Sequence, residues 1–299
     1  MEHGSSRSLI LVYHTVGRTG CNPNLCVHPD RFAEQIEHLG RSLEIVPLET
    51  LLEPSPGRRV AITFDDGYAD VATYAVPVLE AAGARATLFV IAAMLGGGQE
   101  FWWDRLRHLV FDAPSTMEHL EVVIAGSKLW VDLRSHAARE RAYQAILRVR
   151  QHPTDEVSRV LDQVRSGLGT QWACDAHKSL TAEELKNLLA NGSIDVGSHS
   201  MTHRVVAGLS SEERQVEIIE SRLLLEHVLG RSVKAFAYPY GDLDDEVVRL
   251  VQAAGYGLAC TILLGNVTER SDRFRLPRYG VGDWSRDQFA WQLSRWLDE

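Results

Sequence analysis

No apolar run in this chain is long enough to span a membrane. The amino-terminal candidate, Leu9 to Tyr13, is cut short by His14, too brief for a signal-peptide core. The expectation is a soluble, cytoplasmic protein without a transmembrane segment. Positive charge is also scarce: 31 Lys and Arg face 40 Asp and Glu, for a formal net charge of -9. A nucleic-acid binder needs a basic footprint to neutralise phosphates, so that class is set aside. Cysteine is sparse too, with four residues at 21, 26, 174 and 260 and no metal-type repeat among them. Without an export signal they read as free or buried thiols. Solenoid repeats and low-complexity segments are missing, and nothing specifies an oligomeric state.

What is present fits a folded α/β protein. Hydrophobic content of 45% over 299 residues supplies enough apolar side chain for one large domain or two ordinary ones. Three segments share one order, an amphipathic helix, a glycine stop and an apolar strand, with the stops at Gly83, Gly192 and Gly255. The strands lack strict alternation, as expected when both faces are covered, so the pattern predicts a parallel sheet, doubly wound or closed as a barrel. Thr181 with Glu184 and Ser210 with Glu213 read as capping boxes. Val216, Ile219 and Leu223 read as an apolar stripe packed on the core. Residues 96–178 break the pattern and read as an insertion, with a hairpin turning at Gly126-Ser127 and a polar helical stretch from Ser135 to about Gly167.

Three stretches carry chemistry. In ITFDDGYAD, a buried strand through Val60, Ile62 and Phe64 runs into Asp65-Asp66-Gly67. That is either a solvated turn or a pair of carboxylates at a strand's carboxyl end, where α/β proteins keep their sites. In IDVGSHSMTHR, His199 and His203 stand four residues apart, a spacing that brings two imidazoles to one point if the segment turns. Two imidazoles and one strand-end carboxylate make a catalytic metal site with room for water and substrate. The third stretch, KAFAYPYGDLDD, ends a strand in Tyr238-Pro239-Tyr240-Gly241, a tight turn.

Together, TFDDG at 63–67, HSMTH at 199–203 and AYPYG at 237–241 resemble, in order and placement, the polysaccharide deacetylases with a NodB homology domain, carbohydrate esterase family 4. The resemblance implies one catalytic domain over 1–299, a distorted (β/α) barrel with the 96–178 insertion inside it. It implies an enzyme, a metal-dependent hydrolase of non-peptide C–N bonds that removes an N-acyl group, chiefly acetyl, from an aminosugar-containing glycan or glycoconjugate. Carried over by motif, Asp65 is the general base. Asp66, His199 and His203 hold the metal, zinc in the first instance, with cobalt, nickel or iron suited to the same ligands. Tyr240 supplies a backbone N–H to the oxyanion.

Two positions depart from the family pattern. Many members place an Arg two residues before the Pro of the third motif, where Ala237 stands here. Arg278, in RLPRYGVGDW, is the candidate replacement that orients the catalytic aspartate at the substrate site. The usual late histidine is also missing, since no His follows His227. His14, at the end of the first strand, takes that place as general acid, because in a closed barrel the first strand neighbours the last. Trp103, in FWWD, is the candidate sugar-stacking residue of the insertion, with a core tryptophan as the alternative. The rival readings are hydrolysis of a formamide or ureide by the same apparatus, a non-catalytic carbohydrate-binding protein, and a structural partner in glycan assembly.

Overall fold

The computed structural model describes residues 7–18, 22–169 and 177–298. Twelve strands occur in it: β1 (Leu9–Tyr13), β2 (Thr15–Val16), β3 (Cys26–Val27), β4 (Glu44–Ile45), β5 (Arg59–Phe64), β6 (Ala86–Val90), β7 (His119–Ile124), β8 (Ser127–Asp132), β9 (Ile194–Ser198), β10 (Ala235–Ala237), β11 (Leu258–Cys260) and β12 (Tyr279–Gly280). Eight form one parallel sheet ordered β11-β10-β9-β6-β5-β1-β12, with β4 against the start of β5. Its edges are linked by one short segment. Leu276 bridges Cys260 of β11, while Tyr279 and Gly280 pair with Leu11 and Val12 of β1. The sheet therefore curls into the distorted barrel that the family resemblance implies, and the doubly wound alternative left by the strand and helix pattern falls away.

Burial explains why these strands carry little alternation. Every residue of β1, β5, β6, β10 and β11 is buried, so both faces of the sheet select apolar side chains. The helices between them begin and end where the sequence marks them. Both capping boxes form, with Glu184 N–H donating to Thr181 Oγ1 and Glu213 N–H to Ser210 Oγ. The stop glycines follow their helices in the left-handed region.

The stripe at Val216, Ile219 and Leu223 corrects the sequence reading. Val216 is 39% and Leu223 58% exposed, and the helix buries Arg214, Glu217, Ile218, Ser221 and Leu225 instead. A π-helical stretch over Val216–Glu220 breaks the 3.6-residue period on which the stripe was counted. Cys26 likewise differs from the free thiol expected, being disulfide-bonded. That expectation rested on compartment alone, not on which chain segments meet. Cys260 is a buried free thiol, whereas Cys21 and Cys174 lie outside the described residues.

Residues 99–178 form a second compact unit with its own core, including Leu106, Val110, Val122, Tyr143, Ile146 and Val160. Its hairpin pairs β7 with β8, and Ala125 and Gly126 make the turn at φ 48° and 79°. Two left-handed residues define a type I′ turn, one position earlier than Gly126-Ser127. The polar helical stretch is two helices, His136–Ile146 and Thr154–Leu168; the first tightens into a 3-10 segment over Leu147–Gln151, and Pro153 stands immediately before the second. Trp103 is 6% exposed and stacked on Phe101, with centroids 4.9 Å apart and planes 8° apart. Trp103 is thus a buried, Phe101-packed side chain, the core tryptophan held open as the alternative.

Candidate active site

The carboxyl ends of β1, β5, β9 and β10 bring the three motifs together. Asp65 follows β5 directly, and its backbone N–H donates to the Tyr13 carbonyl at 2.9 Å, which fixes it beside His14. Asp66 comes next at φ 72° and Gly67 at φ 88°. A Cβ on Gly67 would stand 3.0 Å from Val90 Cγ1, so the close approach and the dihedral both select glycine. This tight reversal sends successive carboxylates to different partners, and both are buried, at 3% and 4% exposure. The alternative of a solvated turn is thereby excluded.

Asp65 is gripped by Arg278. The guanidinium donates through Nη1 to Asp65 Oδ1 at 2.7 Å and through Nη2 to Oδ2 at 2.8 Å, while its Nε donates to the Thr261 carbonyl at 2.8 Å. Nη1 also reaches Thr63 Oγ1 at 3.2 Å, and Thr63 in turn donates to the Leu11 carbonyl. Arg278 is 1% exposed, so this fork is a buried, oriented pair rather than a surface salt bridge. Burial pushes the Asp65 carboxyl up, but the Arg278 charge and hydrogen bonds, with His199 and His14, hold it well below the usual carboxylate range. It is an ionised proton acceptor fixed in one orientation.

Asp66, His199 and His203 form a separate cluster. Asp66 Oδ1 lies 3.6 Å from His199 Nε2 and 3.4 Å from His203 Nε2, and the two Nε2 atoms are 3.2 Å apart. A tetrahedral ion with bonds of about 2.0–2.1 Å separates its ligand atoms by about 3.3 Å, so the three atoms fit one face of such a sphere. The far side of each ring is engaged. His199 Nδ1 is 2.8 Å from the Ala237 carbonyl, to which it donates, and His203 Nδ1 is 3.1 Å from Tyr240 Oη. The carbonyl bond leaves the His199 Nε2 lone pair directed at the cluster, and a His203 Nδ1–H donating to Tyr240 Oη would do the same for His203, the arrangement metal-binding histidines use. Burial lowers the His199 pKa and the Asp65 carboxylate only partly offsets it, so the ring is neutral at neutral pH. Among the described residues this is the one such group of potential ligands.

Backbone strain concentrates here. Of six non-glycine residues with positive φ among those described, four are Asp66, Ser200, His203 and Tyr240, at 72°, 66°, 63° and 58°. Each left-handed residue costs on the order of 1–2 kcal/mol, which surrounding hydrogen bonds must offset. His203 N–H donates to Ser200 Oγ at 3.0 Å, and the Met201 and Thr202 N–H groups donate to Glu217 Oε2 at 3.0 and 2.9 Å. Neither Glu217 nor the Tyr240 hydroxyl contact is marked by any motif. A glutamate within an otherwise amphipathic helix gives no sequence signal, and only its burial at 3% exposure singles it out.

His14 is brought to the site as expected, within electrostatic reach of Asp65, Arg278 and His199. Its pKa is not ordinary, though: burial lowers it to about 4, with Asp65 opposing and Arg278 and His199 assisting. The ring is therefore neutral at pH 7 in the resting site, which corrects the premise of an unperturbed imidazole. Trp103 belongs to the second unit, packed as described above.

A family model described as polysaccharide deacetylase matches residues 53–117 and 152–259, more than half of the chain and all three motifs. The chain belongs to the polysaccharide deacetylase family. A curated relative, YxkH of Bacillus subtilis (strain 168), which carries a polysaccharide deacetylase description, is 26% identical over 102 residues. That alignment spans 34% of this chain and only about a third, 36%, of the relative. Among solved structures, the Streptococcus pyogenes deacetylase PplD in complex with acetate superposes with a TM-score of 0.65 at 17% identity, covering 99% of this chain and 100% of that one. IcaB from Ammonifex degensii superposes with a TM-score of 0.62 at 19% identity, covering 98% of each chain. At such identities these likenesses establish a shared fold.

Proposed function

We propose that this protein is a metal-dependent N-deacetylase acting on an aminosugar-containing glycan or glycoconjugate. The observation that carries the reading is the pairing of two devices at one barrel end: a three-ligand cluster of metal-ligand spacing, and a separate carboxylate clamped by a buried arginine. Family membership supplies the substrate class.

Asp66, His199 and His203 would hold the ion, with zinc, cobalt, nickel or iron compatible with two imidazoles and a carboxylate. When bound, such an ion polarises the acyl oxygen and acidifies water. Asp65 accepts the proton released as water oxygen bonds to the acyl carbon, and Arg278 keeps that carboxylate ionised and aimed. The Tyr240 backbone amide serves the developing oxyanion. As the C–N bond breaks, His14 passes a proton to the departing nitrogen, giving acetate and a free amine. Being neutral at rest, His14 gains that proton from Asp65, which thereby returns to its ionised form, so the proton taken from water ends on the amine.

The test is acetate release from a panel of N-acetylated sugars by metal-loaded protein, by chelated protein and by protein reloaded after chelation. Release that disappears on chelation and returns on reloading supports the reading. Release that survives complete chelation would overturn it, and hydrolysis confined to formamides or ureides would move the substrate class.

A further inference from the structure

We propose that Glu217 is a positioning residue for the metal centre, holding the Ser200–His203 turn in the conformation that places His203; the inference rests on the metal-site reading above. The two histidines are anchored by different means. His199 directly follows β9, and there its N–H donates to the Val90 carbonyl at 2.8 Å and its ring donates to Ala237 O. Its place is set by the barrel. His203 lies beyond the strand, in a turn whose residues 200 and 203 are both left-handed. The turn's outward carbonyls are engaged by Ala92 and Ala93, whose N–H groups donate to Ser200 O and Met201 O at 3.0 Å each. The Met201 and Thr202 N–H groups converge on one carboxylate oxygen of Glu217, Thr202 Oγ1 donates to the other, and the Met201 N–H also reaches the Glu217 backbone carbonyl at 3.1 Å.

The helix that carries Glu217 is adapted to this task. It leaves Val216 and Leu223 exposed, buries Glu217, and does so on a π-helical turn, where the register slips by a residue. Burying a carboxylate in place of an available valine is unfavourable unless the carboxylate satisfies donors that would otherwise be stranded. The donors that depend on it here are the Thr202 N–H and hydroxyl, both in the metal-ligand turn. Removing the acceptor frees that turn to relax out of its left-handed conformation, and His203 moves with it while Asp66 and His199 stay in place.

The experiment measures metal affinity of the folded, full-length protein by chelator competition, together with the visible absorption of the Co2+ form, for Glu217→Ala, Glu217→Gln and Thr202→Val. Thr181→Ala, at a capping box whose own hydrogen bonds go to its helix and not to the metal-ligand turn, serves as a destabilised control. The expected result is a 10- to 100-fold loss of affinity for Glu217→Ala and a changed Co2+ spectrum. Smaller losses are expected for Glu217→Gln, which keeps one acceptor oxygen, and for Thr202→Val, with no affinity change in the control. These two milder variants carry the test if Glu217→Ala does not fold. Lowered melting temperature with wild-type affinity and spectrum in the folded variants would make Glu217 merely structural and overturn the inference. A wild-type protein that binds no metal would instead overturn the metal reading itself, and the inference with it.

Discussion

At the scale of single residues, the site separates two tasks between adjacent aspartates. Asp65 faces Arg278 and Asp66 faces the histidines, because the left-handed Asp66-Gly67 reversal splits their directions. Asp65→Asn should therefore keep metal affinity within a few-fold while turnover falls by about 10²–10⁴, the range for loss of a positioned base. Parallel metal titration and acetate assays check this, and loss of metal binding would contradict it. Arg278 sets the acid limit of activity. With the guanidinium removed in Arg278→Gln, burial dominates and raises the Asp65 pKa, so the acid limb of the kcat/KM profile should move to higher pH. An unchanged profile would show that Asp65 is not the ionising group. The variant should also lose about 3–5 kcal/mol of stability, because it leaves one member of a buried pair uncompensated.

At the scale of elements, much of the site was legible because its chemistry sits at strand ends. Apolar runs that stop abruptly at Asp65, His199 and Tyr238 located the motifs, and the capping boxes at Thr181 and Ser210 fixed helix starts through local chemistry alone. The Thr181 box makes a direct prediction: Thr181→Ala should lower stability by about 1 kcal/mol in a melting experiment without altering activity. What was not legible depended on distant partners. Arg278 could be named from the missing motif arginine at Ala237, but its two-bond grip on Asp65 and its full burial depend on the pairing of β12 with β1. The stripe at Val216, Ile219 and Leu223 failed because a π turn changes the helical period, and its cause, the demand of residues 201 and 202 for an acceptor, lies in another element. Trp103 was ambiguous from the start, since an aromatic in an amphipathic helix packs as readily on Phe101 as on a ligand.

At the scale of the whole molecule, burial of the site couples protonation to folding. The folded pKa of His14 is lowered from 6.5 to about 4, and that of His199 is lowered too. Between those values the unfolded chain binds more protons than the folded one, so stability must rise with pH through that window and level off above it. Metal-free protein should thus melt at progressively higher temperature from about pH 4 to about 6.5. His14→Gln should flatten the rise, since its lowered pKa accounts for on the order of 2–3 kcal/mol across the window. A melting temperature independent of pH over that range would contradict the burial of these imidazoles.

The central claim is that one ion is held by Asp66, His199 and His203, separately from the base. It is tested most directly by metal stoichiometry of the purified wild type and of an Asp66→Ala, His199→Ala double variant, each followed by acetate release from N-acetylated sugars. The account predicts one ion per chain and acetate production in the wild type, and neither in the double variant. A double variant that still binds stoichiometric metal, or a wild type that binds none under replete conditions, would contradict it.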